Sequence, residues 1–390
     1  MPRYVIDEAA LRRNLEILKG VSDRTGAKIL LAQKAFSCTE TYPLCAKYLA
    51  GTTASSLFEA RHGHDNFGGE THVFAPAFDE GEIDEILGLV DHIVFNSPRQ
   101  VEKFGEMARR RGVSVGMRVN PEVSVATTPA YDPCRPGSRL GTTRAALDAW
   151  LARPQLPAAS CRPPTIDGLH FHCLCEQGLD ELKAVLAGFE AKFGDLLPRM
   201  KWVNFGGGHH ITREGYDVEG LVALIGDFRA RHPHLEVYLE PGEAIALNAG
   251  TLEARVLEIQ PTGEDGVANA ILDTSAACHM PDVLEMPYTP RIKGASAIGN
   301  AECRIENDGR NRLYRFGGPT CLAGDVIGTY AFKHPLEEGD KVVFEDMAIY
   351  TMVKNNTFNG LNLPDIAVRR EDGTEKVVRR FGYGDFSGRL

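Results

Sequence analysis

A chain of 390 residues is longer than one ordinary core, so two domains are expected. Its 43% hydrophobic and 25% charged residues are globular values, and a formal net charge of −10 without a long basic cluster argues against nucleic acid and anionic membranes as partners. The opening Met1-Pro2-Arg3-Tyr4 lacks the apolar core of a signal peptide, no apolar run is long enough to cross a bilayer, and nine cysteines without framework spacing point to reduced thiols in a cytoplasm.

Taken in order, a short strand at Tyr4-Val5-Ile6 precedes Asp7, which can cap a helix carrying Leu11, Leu15 and Leu18 on one side. An alternation then begins. Strand-like runs fall at 29–32, 51–55, 71–75, 92–96, 114–120, 168–173, 202–206 and 237–240, with helical stretches at 42–49, 57–63, 82–90, 98–111, 179–193 and 218–231. Eight β units separated by helices over roughly 220 residues predict an α/β fold, a (β/α)8 TIM barrel. Polar residues end these strands: Lys34, Ser55, Asn96, Arg118, Asn120, His172, a glycine run and Glu240. Active sites of such barrels lie on that face. The stretch 126–164, with seven prolines, reads as a long excursion between the fifth and sixth barrel strands. Past Gly250 the runs 252–260, 267–272, 312–316 and 341–347 are β-type. The expected division is a barrel over 21–248 and a β-rich domain built from 1–20 with 249–390.

The candidate chemistry sits at those strand ends. Lys34 directly follows the apolar Ile29-Leu30-Leu31-Ala32, and although most lysines are surface residues, one in a partly desolvated pocket becomes a nucleophilic amine able to form an imine with an aldehyde. Gly206-Gly207-Gly208 follows the seventh strand, where barrel phosphate sites form and backbone N–H groups can close on an anion. Glu240-Pro241-Gly242 ends the eighth. A carboxylate there can hold a pyridinium nitrogen protonated and keep the ring a strong electron sink, which favours decarboxylation over racemisation. His170 and His172 alternate and point the same way; one imidazole can stack on a cofactor ring. A rival reading makes His170 and His172 the His-x-His of a metal-dependent barrel hydrolase, with His209 and His210 as further ligands, although that pair is expected on the first strand. Cys321, in Gly317-Gly318-Pro319-Thr320-Cys321 with Asp325 four residues on, is a candidate proton donor, and the Tyr350 hydroxyl a candidate phosphate contact. These are the parts that pyridoxal 5'-phosphate (PLP) requires.

Together the motifs resemble the alanine-racemase-type (fold type III) PLP decarboxylases, which include ornithine, arginine and diaminopimelate decarboxylases. The resemblance spans nearly the whole chain. It is carried by Ala32-Gln33-Lys34-Ala35-Phe36, Gly168-Leu169-His170-Phe171-His172, Asn204-Phe205-Gly206-Gly207-Gly208-His209-His210, Glu240-Pro241-Gly242-Glu243, Asp273-Thr274-Ser275, His279-Met280-Pro281-Asp282-Val283-Leu284-Glu285 and Gly318-Pro319-Thr320-Cys321. It implies that Lys34 binds the cofactor aldehyde, His172 stacks on the ring, Gly206, Gly207 and Gly208 with Tyr350 hold the phosphate, and Glu240 faces the pyridine nitrogen. It further implies that Cys321 donates a proton from the other subunit of a homodimer.

The departures bear on substrate. Ornithine and diaminopimelate decarboxylases read Glu-Pro-Gly-Arg where this chain has Glu243, and relatives place an acidic residue after the cysteine where this chain has Leu322. His172-Cys173-Leu174-Cys175 replaces a His-Val-Gly-Ser pattern, which removes an expected hydroxyl contact to phosphate. A distal carboxylate needs arginines, whereas Glu243, Asp282 and Glu285 are acceptors suited to ammonium groups. The candidate substrate contacts are thus Glu243, Asp273, Asp282, Glu285 and Asp325. Within the family the resemblance is to the branch that converts carboxylated polyamines to norspermidine or spermidine, with a diaminopimelate or ornithine activity as the alternative.

Overall fold

The computed structural model describes residues 1–153, 166–298 and 312–390. The later part of the 126–164 excursion, from 154 on, lies outside them. The chain forms two compact units, one of Met1–Leu11 with Ala246–Leu390 and one of Arg12–Ile245.

The second unit is the closed parallel barrel. Strand β1 (Arg3–Asp7) belongs to the other unit; the barrel runs β2 (Lys28–Ala32), β3 (Gly51–Ala54), β4 (Glu70–Phe74), β5 (His92–Phe95), β6 (Ser114–Arg118), β7 (Gly168–His170), β8 (Trp202–Asn204) and β9 (Glu236–Leu239). Each pairs in parallel with the next, and β9 closes on β2 through Lys28↔Tyr238 and Ile29↔Leu239. Among the described residues, the excursion contains a helix that the proline density concealed, Arg144–Leu151, whose N-cap Thr143 accepts from the Ala146 N–H. It supplies the helical connection between β6 and β7.

The barrel centre is filled by one large ring. Trp202, with Leu30, Val94 and Tyr238, forms the interior core. The space for its indole comes from two register-paired glycines on adjacent strands: a Cβ on Gly116 would lie 2.3 Å from the ring, and one on Gly168 2.0 Å. The indole N–H donates to Ser114 Oγ at 2.9 Å, so its polar edge is satisfied. Above this plug, toward the strand C-termini, the interior turns polar.

The other unit is a nine-stranded mixed sheet. Its further strands are β10 (Gly250–Ile259), β11 (Ala268–Leu272), β12 (Ser296–Ile298), β13 (Arg312–Gly317), β14 (Val326–Phe332), β15 (Lys341–Glu345), β16 (Asp365–Arg369) and β17 (Glu375–Arg379). The order is β12-β14-β13-β11-β10-β1-β16-β17, with β15 also on β10. β1 therefore lies inside this sheet, antiparallel to β10 and parallel to β16, although it is first in sequence. Among the described residues no helix is long and apolar enough to cross a membrane.

The plug yields a prediction. Gly168→Ala forces the indole or β7 to move, and overpacking of this kind costs about 3 kcal/mol. The variant should melt well below the parent in a thermal scan, and an unchanged melting temperature would refute the plug.

Candidate active site

At the mouth of the barrel, three adjacent strands aim polar groups at one carboxylate. Arg118, His170 and Asn204 are register partners on β6, β7 and β8. Asn204 Nδ2 donates to Glu240 Oε1 at 2.8 Å, and His170 Nε2 lies 3.1 Å from Glu240 Oε2. Both carboxylate oxygens are thereby fixed. Burial alone would raise the Glu240 pKa, but His170, with smaller pulls from His72 and His172, holds it below the ordinary carboxylate range. Burial lowers the His170 pKa, so a neutral imidazole donates its Nε2–H to an ionised carboxylate.

Lys34 stands in the turn after β2. It is open to solvent through the mouth yet walled by protein, so an incoming molecule can reach an amine that is poorly hydrated. That desolvation lowers its pKa first, and the Arg118 guanidinium lowers it further against the opposing pull of Glu240. Arg118 itself is buried, donates to the His172 carbonyl at 2.8 Å and stacks over Phe74 at 4.6 Å. His172 Nδ1 lies 3.1 Å from both the N–H and the carbonyl oxygen of Gly207, and burial pushes its pKa well down. A neutral ring locked by backbone is suited to lie flat on an aromatic cofactor.

The glycine run is dictated by close backbone approach. A Cβ on Gly207 would sit 2.1 Å from the Glu240 carbonyl oxygen, and one on Gly208, with φ +89°, 2.0 Å from that of Leu174. Side chains here would part β8 from its neighbours. Glu243, in the helical turn after Gly242, pairs with His210 Nε2 at 3.0 Å.

The sheet unit holds the remaining expected residues. Cys321 is exposed, its N–H donating to Asn359 Oδ1 at 2.8 Å. Asp325 is buried and accepts from Ser275 Oγ at 2.9 Å, Thr320 Oγ1 at 2.7 Å and the Ala277 N–H at 3.1 Å, so it moors the cysteine loop. Asp273 accepts the Arg255 N–H at 2.8 Å and lies 3.8 Å from the Met1 ammonium. Asp282 and Glu285, on one helical turn, both bind Lys354. Tyr350 adopts φ +45°, and its carbonyl accepts the N–H groups of Val353 and Lys354.

The family described as pyridoxal-dependent decarboxylase, C-terminal sheet domain, matches residues 4–348. The chain is 43% identical over 388 residues to a carboxynorspermidine/carboxyspermidine decarboxylase of Campylobacter jejuni, covering 99% of this chain and 97% of that one. It is 41% identical over 389 residues to a carboxyaminopropylagmatine decarboxylase of Synechocystis, covering 100% and 95%. The crystal structure of carboxynorspermidine decarboxylase complexed with norspermidine, from Campylobacter jejuni, superposes with a TM-score of 0.87 at 41% identity over 100% of both chains. The chain belongs to the pyridoxal-dependent decarboxylases.

The residues present fit the cofactor of that family. An amine of lowered pKa, a fixed carboxylate, a neutral imidazole and a glycine loop share one barrel mouth, and the buried His170 Nδ1 still lacks a partner. The metal-hydrolase alternative fails on the same geometry. His170 is held by Glu240, His172 by Gly207, His209 by Tyr216 and His210 by Glu243, so the four imidazoles do not converge. Arg118 was read only as a polar residue ending a strand and Asn204 only within a family motif, and the structure brings both to the mouth beside Glu240. Their alternation with His170 along neighbouring strands was the available signal.

Arg118→Met removes a cation that opposes protonation of Lys34, so the Lys34 pKa should rise. Reconstitution of stripped protein with PLP, followed by the cofactor's visible absorbance, should then need a higher pH than in the parent. A midpoint that stays put or falls would show that Arg118 does not tune the amine.

Proposed function

We propose that this enzyme decarboxylates a carboxylated triamine, carboxynorspermidine or carboxyspermidine, releasing norspermidine or spermidine. The observation that carries the reading is the sign of charge. The candidate contacts for the distal end of the substrate are carboxylates, and two of them, Asp282 and Glu285, already hold one ammonium, that of Lys354. The names borne by the relatives agree. The Synechocystis relative supports a second reading in which the distal group is a guanidinium, which the same acceptors would bind.

When bound, PLP accepts the electron pair left as the carboxylate departs. The chain's own residues do the rest. Lys34, whose amine has a lowered pKa, would hold the cofactor through its aldehyde. Glu240, ionised and immobile, keeps a proton on the ring nitrogen. Gly206, Gly207 and Gly208 would hold the phosphate, and His172 would stack on the ring. Carbon dioxide leaves, and the Cys321 thiol returns a proton to the same carbon before recovering one from water.

In this reading Cys321 comes from a second copy of the chain, giving a homodimer with two shared sites. Its exposure, and that of Leu322 and Phe358 beside it at 44% each, fits a surface awaiting cover. Seven free cysteines among the described residues accord with a reducing cytoplasm.

Lys34→Ala should abolish turnover and the cofactor's bound absorbance, while Cys321→Ala should keep the cofactor and lose rate or product fidelity. Mixing the two inactive proteins should restore up to about a quarter of parental activity if each site draws on both chains of a two-fold dimer. No recovery in a mixture shown to exchange subunits would sink the shared site. Carbon dioxide release from both carboxylated triamines, carboxyaminopropylagmatine and diaminopimelate decides substrate, and preference for diaminopimelate would refute the charge argument.

A further inference from the structure

The opposite end of the barrel interior carries a second polar cluster that decarboxylation does not use. The first residues of four strands, Lys28, Glu70, His92 and Glu236, meet there, with His72 and Tyr238 one layer above. A Glu70 carboxylate oxygen and one ring nitrogen each of His72 and His92 lie within 4.8 Å of one another. His72 Nε2 is 3.1 Å from Glu70 Oε2, a separation shared by two ligands of one ion as much as by a hydrogen bond. The two imidazoles, register partners on β4 and β5, stack at 4.1 Å with planes 7° apart.

Two features exceed what a structural ion pair needs. The Nδ1 atoms of both histidines are buried without a partner, and His72 is only 1% exposed. Unpartnered buried nitrogens are rare in native interiors. Moreover, two carboxylates face one ammonium, since Lys28 bridges Glu70 at 2.5 Å and Glu236 at 2.6 Å. Beyond Lys28, the only ion-pair partner of either carboxylate among the described residues is the His72 imidazole.

We propose that Glu70, His72 and His92 form a site for one first-row divalent cation of the zinc class at the floor of the barrel, independent of the cofactor. Two neutral imidazoles and one carboxylate are a donor set such ions favour, with water completing the coordination. Lys28 can stay on Glu70 Oε1. The Tyr238 hydroxyl, now shared between Glu70 Oε2 at 2.9 Å and Glu236 Oε2 at 2.8 Å, can pass to Glu236 alone. The stacked rings must tilt apart to converge on the ion, and the proton that His72 shares with Glu70 moves from Nε2 to Nδ1 so that Nε2 can bind. Glu70, 27% exposed, provides the entrance.

The test uses untagged holoenzyme. Zinc binding measured by equilibrium dialysis should saturate at one ion per chain and raise the melting temperature. Cobalt in its place should give the visible bands of a nitrogen-and-oxygen site of low coordination number. His92→Gln and Glu70→Gln should each weaken zinc binding by at least about tenfold while keeping decarboxylation. Should a variant fail to fold, anomalous scattering from zinc-soaked crystals of the parent decides. A peak among Glu70, His72 and His92 sustains the site; a peak only elsewhere, none at all, or variants that bind zinc as tightly as the parent would overturn it.

Discussion

The active site depends on keeping the buried carboxylate of Glu240 ionised. Removing a carboxylate from water costs several kcal/mol even after relaxation, and the cost is met only where both oxygens are bonded and opposite charge is close. Asn204 and His170 supply the bonds, one to each oxygen. Against burial, His170 holds the Glu240 pKa down, while burial and then Arg118 lower that of Lys34. In the proposed chemistry, one barrel mouth would thereby supply both an ionised acid for the ring nitrogen and a nucleophilic amine for the aldehyde. Neither property belongs to either residue alone.

Barrel geometry makes that arrangement possible. Arg118, His170 and Asn204 converge because parallel register sets them side by side, and a slip of one residue would turn each outward. Register is held from below by Trp202, which fits only against Gly116 and Gly168. The glycines that look like gaps in β6 and β7 are thus part of the site's support.

What was legible in the sequence follows from the range of the forces involved. All eight barrel strands were readable because each is a short apolar run set off by turns, and the helices Leu179–Phe193 and Val218–Arg231 were readable to the residue from their apolar spacing. Lys34, Glu240 and the glycine run were readable because strand ends carry barrel chemistry. The helix Arg144–Leu151 was lost among prolines. Strands β14 and β17 were missed although each pairs with the strand just before it, and β16 was missed where its parallel partner β1 lies at the other end of the chain. Pairings between charges were the least legible. Nothing local to Asp282 or Glu285 announces Lys354, and nothing near Asp325 announces that Ser275 would consume its acceptors.

These pairings also refine what an acidic residue at a binding site means. Asp325 has its acceptor capacity spent on the loop it moors, so its negative charge orders the backbone around Cys321 rather than recruiting a ligand. Asp282 and Glu285 differ because two carboxylates share one flexible ammonium that can swing away. Under the proposed reading, a ligand ammonium arriving there meets Lys354 already seated on both carboxylates and must displace it or share them. In that reading a longer arm with several amines would compete with Lys354 better than a single amine. An internal lysine in an acidic pocket is, on this argument, a threshold that short amines fail to cross.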